Sequence, residues 1–355
     1  MRRTIRWAVL VGISVLPLGA AVRADPPEER ASALREMKPR KPVPIDRSAI
    51  AGEGPIPVIL LAELGCDETI YADFAKRHAG RFTTHTVVLP GAARDSKAPP
   101  LDRGHVRDPE WLVNAADAVR DYAHAHKLER PVIIGQGLGG SVAYLLAIRE
   151  PELARAYVML NALPAPSVGG PGRIPLKEQR ANEVDKLDRA SILAMTPATW
   201  TNRVRSIVPL QTTDPKRAEA IIASISSAPI ASVRRYSLEP LYLDMRDDLE
   251  GTTTPILVIA MLPDWIKESD RRMFRTAFQN AGFNRPNMRV EIMDGVRQWA
   301  MLDDPGRFDP LLFAFLGLDP TPGPDSPKAD APAVVPKPVE PKQESTPAPT
   351  GTENK

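Results

Sequence analysis

The chain reads as an α/β protein built on a mostly parallel, doubly covered sheet that carries an inserted helical cap. Three observations predict this. Short apolar runs rich in β-branched residues recur along the chain, helix-like stretches fall between them, and the segment 164–250 interrupts the alternation. Continuous apolar runs mark strands buried on both faces of a parallel sheet. Regular alternation of such strands with helices requires that sheet to be covered on both sides.

The strands are expected at 57–62 (PVILLA), 86–89 (TVVL), 132–135 (VIIG), 156–161 (AYVMLN), 256–261 (ILVIAM) and 288–293 (MRVEIM). Helices are expected at 111–126 and 138–149 among others. The segment 164–250 is rich in Ala, Arg and Ser with short helical patterns, and a helical cap between two strands is its simplest account. The folded domain is therefore placed at 56–318, preceded by a charged, proline-bearing linker at 25–55.

The two ends differ from this domain. Arg2, Arg3 and Arg6 precede an uncharged apolar stretch from residue 7 to 22, and Val22-Arg23-Ala24 offers small residues at a cleavage site. That is the pattern of a secretory signal, 1–24, and the apolar run with Pro17 is too short for the roughly 20 residues a membrane span needs. The chain is therefore expected to be exported, periplasmic or secreted, with no stable membrane insertion after cleavage. Removing those residues takes four arginines and no acids, so the net charge of +2 becomes −2, and nucleic acid is not an expected partner. At the other end, 319–355 has no aromatic residue and ten prolines. Such a tail buries too little apolar surface to offset its ordering entropy and is expected to be disordered. The single cysteine, Cys66, cannot form an internal disulfide and reads as a small buried hydrophobe.

The segment 131–143 reads PVIIGQGLGGSVA. It resembles the strand–turn–helix of the α/β-hydrolase family, in which G-x-S-x-G forms a sharp elbow after a central strand. Gly135, Gly139 and Gly140 match, and the resemblance puts Gly137 at the nucleophile position. Further segments follow in family order. Residues 57–61 with Leu64-Gly65 look like the first core strand and its oxyanion-loop turn, and Leu89-Pro90-Gly91 resembles the loop after the next strand. Residues 255–264 look like the strand that ends in the family's acid, which maps to Asp264. Residues 298–308 (QWAMLDDPGRF) resemble the histidine loop, with Gln298 in the histidine's place. The resemblance implies a pocket bordered by Ala62, Glu63, Gln136, Leu138 and Trp299.

What it implies for chemistry is a degenerate machinery. A serine hydrolase needs an oxygen nucleophile, an imidazole base and an acid that orients the base. Gly137 has no side chain, and a Gln298 amide is no base near neutral pH. The five histidines, His78, His85, His105, His124 and His126, all precede the elbow, so the C-terminal half offers no substitute base. Glu63 brings a carboxylate to where an oxyanion would be stabilised, which opposes that role. Glycine at the elbow also relieves the positive-φ strain that a serine tolerates there. No catalytic residue is assigned. The expectation is an exported non-catalytic protein that binds an unknown small ligand or protein partner, with no cofactor.

Two rival readings are weighed. Chemistry relocated to Asp264, Glu63 or Ser141 would make the chain a non-standard hydrolase, although Ser141 is expected to face helix packing. Gly135, Gly137 and Gly140 also satisfy the G-x-G-x-x-G of dinucleotide-binding oxidoreductases. There the next strand should end in an acid, yet it ends at Asn161, and two strands already precede the motif. An anion at this glycine-rich helix start is still physically reasonable. No metal site is expected, since His124 and His126 stand two apart on a helix and point to different faces. Asp244, Asp247, Asp248 and Glu250 read as a solvated acidic run, and Asp303-Asp304 as a cap on the last helix.

Overall fold

The computed structural model describes residues 34–39, 41–100, 107–280 and 285–319. The signal, the start of the linker and the tail from 320 lie outside the described residues. A seven-stranded sheet runs in the order β1-β3-β2-β4-β5-β6-β7. Its strands are β1 (Ser48–Ala51), β2 (Ile56–Leu61), β3 (Phe82–Val87), β4 (Val132–Gln136), β5 (Ala156–Leu160), β6 (Ile256–Leu262) and β7 (Met288–Asp294). All pairings are parallel except β1 with β3. The expected fold class, a mostly parallel sheet with helices on both faces, is the one observed.

Period-2 geometry explains why the strands read as unbroken apolar runs. Ile59 and Leu61 of β2 enter a core with Ile133 and Tyr157, under α2 (Glu110–Ala125) and α3 (Leu138–Arg149). Val58 and Leu60 point the other way and join Val132, Ile134 and Leu160. That second core is closed by α1 (Ala72–Arg77), α10 (Ala300–Asp303) and α11 (Pro305–Leu316).

Between β5 and β6 the chain runs through α4 (Lys177–Leu187), α5 (Arg189–Leu193), α6 (Pro197–Gln211), α7 (Pro215–Ser226) and α8 (Ile230–Tyr242). Their mutual core includes Val168, Val184, Ile192 and Leu238. The remaining helix, α9 (Glu268–Asn280), follows β6. Glu239 of α8 is wholly buried and ties this layer to the domain below. Its carboxylate accepts the Trp111 and Leu112 N–H groups at the start of α2, at 3.2 and 2.9 Å, and pairs with Arg235. Burial outweighs these partners and pushes its carboxyl up to about 7.

Three expectations need correction. The segment 25–55, expected as a linker ahead of the domain, contributes a strand to it, since Ser48–Ala51 forms the antiparallel edge strand. β3 starts at Phe82, four residues before the expected 86, because its polar side chains are satisfied in place. Thr83 and Thr84 donate to the Gly54 and Ala51 carbonyls, and His85 Nδ1 lies 3.1 Å from the Tyr122 hydroxyl. The acidic run at the cap's exit is only partly solvated: Asp244 is buried against Arg246, and Asp248 is buried too.

Candidate functional site

The site grows from the turn between β4 and α3. Gly137 has φ 51° and ψ −108°, which an L side chain rarely adopts. The helix behind the turn presses hard on the sheet. A Cβ on Gly135 would lie 2.2 Å from the Gly139 carbonyl oxygen, and one on Gly139 would lie 2.3 Å from that of Leu61. Only glycine fits either place, so the glycines of the motif set how closely helix and strand approach.

β2 is the neighbour of β4, which brings the turn after β2 against this elbow. Glu63 crosses the gap. Its Oε1 accepts the Leu64 N–H at 3.0 Å and the Leu138 N–H at 3.2 Å. Two backbone donors from separate loops converging on one oxygen is the arrangement that stabilises an oxyanion in acyl transfer. Here both donors are occupied by the chain's own carboxylate. The other oxygen, Oε2, lies 1.7 Å from where a Cβ on Gly137 would stand. Burial pushes the Glu63 carboxyl up, while the two backbone hydrogen bonds pull it down, and burial wins. The Cys66 thiol and Tyr71 hydroxyl nearby are also held protonated, well above their ordinary values, by burial and by the charge of Glu63.

Gln298 reaches the elbow from the other side. Its Oε1 accepts the Asn161 Nδ2 at 2.7 Å, and its carbonyl accepts Gln136 Nε2 at 3.1 Å. Asn161, at φ 48°, also accepts the Met261 N–H at 2.7 Å, so one side chain links the ends of β5, β6 and the loop after β7. Asp264 is not part of this cluster. Its side chain is 78% exposed and pairs at 3.5 Å with Arg271 of α9. The expectation that Asp264 stands ready to orient residue 298 is therefore corrected: an arginine on the following helix draws it to the surface.

Above the cluster lies a cavity of about 430 Å³ between the sheet and the cap. Glu63, Gly137, Leu138, Gln298 and Trp299 border it, together with Asn161. Ala62 and Gln136 pack beneath it instead, both buried, and Gln136 Oε1 accepts the Tyr71 hydroxyl at 3.4 Å. Ser141 was expected to face helix packing, yet it borders the cavity. The cap supplies an apolar wall that includes Trp200, Val204, Val208 and Leu241. Among the described residues, Glu63 and Arg203 are the charged groups on the lining. Asn161, Arg203 and the cap wall went unassigned in the sequence. The one signal for Asn161 was its place at a strand end, where Asn tolerates positive φ.

Other expected chemistry finds less to build on. The helix start that could hold an anion already holds Glu63, which leaves no room there for a diphosphate. Among the described residues no group of three or more His, Cys, Asp or Glu side chains is placed to hold a metal ion. His124 and His126 are both exposed, and the His126 ring lies against Tyr122. Asp304 caps α11 through the Arg307 N–H, whereas Asp303 pairs with Arg217 of the cap. No helix among the described residues is long and apolar enough to cross a membrane.

Known proteins agree with the topology. Residues 62–310 match the model of the alpha/beta hydrolase family. A stretch of 113 residues is 30% identical to the pimeloyl-[acyl-carrier protein] methyl ester esterase of Chromobacterium violaceum, over 32% of this chain and 39% of that one. Among solved structures, a hydrolase from Oleispira antarctica aligns with a TM-score of 0.59 at 17% identity, covering 77% of this chain and 94% of the other. The enol-lactonase of Burkholderia xenovorans LB400 aligns with a TM-score of 0.56 at 16% identity, covering 77% and 98%. At such identities the solved structures speak for the fold, and the family model for kinship: the chain belongs to the alpha/beta hydrolase family.

Proposed function

We propose that this protein is a non-hydrolytic member of its family, exported from the cytoplasm, that holds a small apolar ligand in the cavity beneath its cap. One observation carries the reading. Glu63 occupies both backbone donors an acyl oxyanion would need, and fills the space of a side chain at 137. A substrate carbonyl has no donors to enter, and a nucleophile has no place to stand. The amide of Gln298, held by Asn161, takes no proton near neutral pH. The export half rests on the basic and apolar pattern of residues 1–24.

The test is ester turnover by the purified mature protein, with a fluorophosphonate probe for an activated serine. No labelling and no turnover above buffer is the expected result. The relatives' names favour a second reading, a hydrolase with relocated chemistry, in which the raised Glu63 carboxyl serves as a base. Turnover that disappears in Glu63→Gln would support that reading and overturn the first. N-terminal sequencing of exported protein should begin at or near Asp25; an intact Met1 in a membrane fraction would overturn the export proposal.

A further inference from the structure

The cavity lining is chemically lopsided at its floor. Glu63 Oε1 accepts two backbone N–H groups, while Oε2 accepts no hydrogen bond from any described residue. The lining above it is dominated by aliphatic and aromatic side chains, and the cavity's volume lies in the range of small-ligand sites. A ligand entering this space meets an acceptor, and a negative charge once Glu63 is ionised, where a hydrolase would present donors. A carbonyl or carboxylate head would find its donors already taken and a like charge beside it. A head that donates hydrogen bonds and carries positive charge would complete Oε2 and remain in an apolar surround where that pairing is strong.

Resting on the reading of the cavity as a ligand site, we propose that it selects an apolar amine, with the ammonium on Glu63 Oε2 and the hydrocarbon against Trp200, Val204 and Leu241. Selection is then the reverse of an acyl-binding hydrolase's, and its determinant is the residue that blocks the oxyanion donors. Among the described residues, two lining groups would favour the opposite head: the Arg203 guanidinium, and Trp299 Nε1, a buried donor with no hydrogen-bond partner.

Trp200, Trp265 and Trp299 line the cavity, so tryptophan emission reports its occupancy. The experiment titrates the mature protein with decylamine, decanol and decanoate, below their micelle concentrations at neutral pH. Decylamine should bind about 10-fold or more tightly than decanol, as expected for one charge-assisted hydrogen bond, and decanoate most weakly. Glu63→Gln preserves the two backbone hydrogen bonds through its amide oxygen. It should remove the amine's advantage while leaving decanol within about threefold. Decanoate binding as tightly as decylamine, an amine advantage unchanged in Glu63→Gln, or no binding by any of the three would each overturn the proposal. The head-group order in the wild type decides the matter even if the variant folds poorly. Ester turnover in the same preparation judges the non-hydrolytic reading separately, so the two failures are distinct.

Discussion

The turn after β4 and the rim formed by the ends of β6 and β7 lie along the same edge of the sheet, yet they are held by different means. The turn is a backbone object. Gly135 and Gly139 let α3 sit against β2 and β4, and Gly137 takes the positive φ, whatever side chain faces the cavity. The rim is a side-chain object. Asp264 goes to Arg271, Asp294 to Arg271 and Arg275, and Gln298 to Asn161. The lesson is that paired N–H donors persist wherever the chain path persists, while an acid–base relay lasts only as long as each side chain in it. In this chain the paired donors remain and point at Glu63, and among the described residues no such relay assembles at the rim.

Substitutions can separate the two kinds of construction. The largest effect belongs to the turn. Gly139→Ala would force a Cβ to 2.3 Å from the Leu61 carbonyl, which cannot rotate away. It should cost about 3 kcal/mol or more, read as a loss of midpoint in urea unfolding. Gly137→Ser comes next. Its Cβ meets the movable end of Glu63, so clash is partly relieved by swinging the carboxylate into the cavity, but the positive φ persists. A cost of roughly 2 kcal/mol is expected, with part of it recovered in the Glu63→Ala background, where the two changes should be non-additive. Neither Gly137→Ser nor Gly137→Ser with Gln298→His should hydrolyse esters, because the displaced Glu63 carboxylate stays in the space an ester would enter and Asp264 is turned away.

On the rim side, Asp309 of α11 fixes the segment that follows Gln298. It pairs with Arg77 at 2.8 Å and lies 3.0 Å from His78 Nε2. Burial pushes its carboxyl up, but His78 and Arg77 outweigh burial and hold it below the ordinary range. A carboxyl depressed in the folded state adds stability above the ordinary carboxyl range and loses it as the pH falls through its folded value. Asp309→Asn should therefore cost about 1 kcal/mol at neutral pH, and its gap to the wild type should close in acid. The smallest effect is a control: Gly80→Ala meets nothing within 4 Å and should stay within about 0.5 kcal/mol.

How much of this was legible in the sequence follows from the same division. Strands β2, β4, β5 and β6 were readable because burial makes them apolar throughout, and β7 because its apolar Met288, Val290 and Ile292 alternate with polar Arg289 and Glu291. β1 was not, because an edge strand with the sequence SAIA, mostly exposed, carries no such run. β3 was half readable, since its buried Thr84 and His85 rely on hydrogen bonds that a polarity pattern hides. At the site, Gly137 and Gln298 stood out by their place in motifs. The reach of Glu63 across to Leu138 depends on β2 and β4 being neighbours, and no spacing along the chain states that. The turning of Asp264 depends on Arg271, one helix later.

The central claim is that one carboxylate holds both donor N–H groups at the elbow, and backbone amide resonances test it most directly. The Leu64 and Leu138 amides should titrate together, moving as Glu63 ionises, with a common midpoint above the ordinary glutamate range because burial disfavours the charge. In Glu63→Gln both should become insensitive to pH over that span. Amides that ignore pH in the wild type, or that titrate with separate midpoints, would contradict the account.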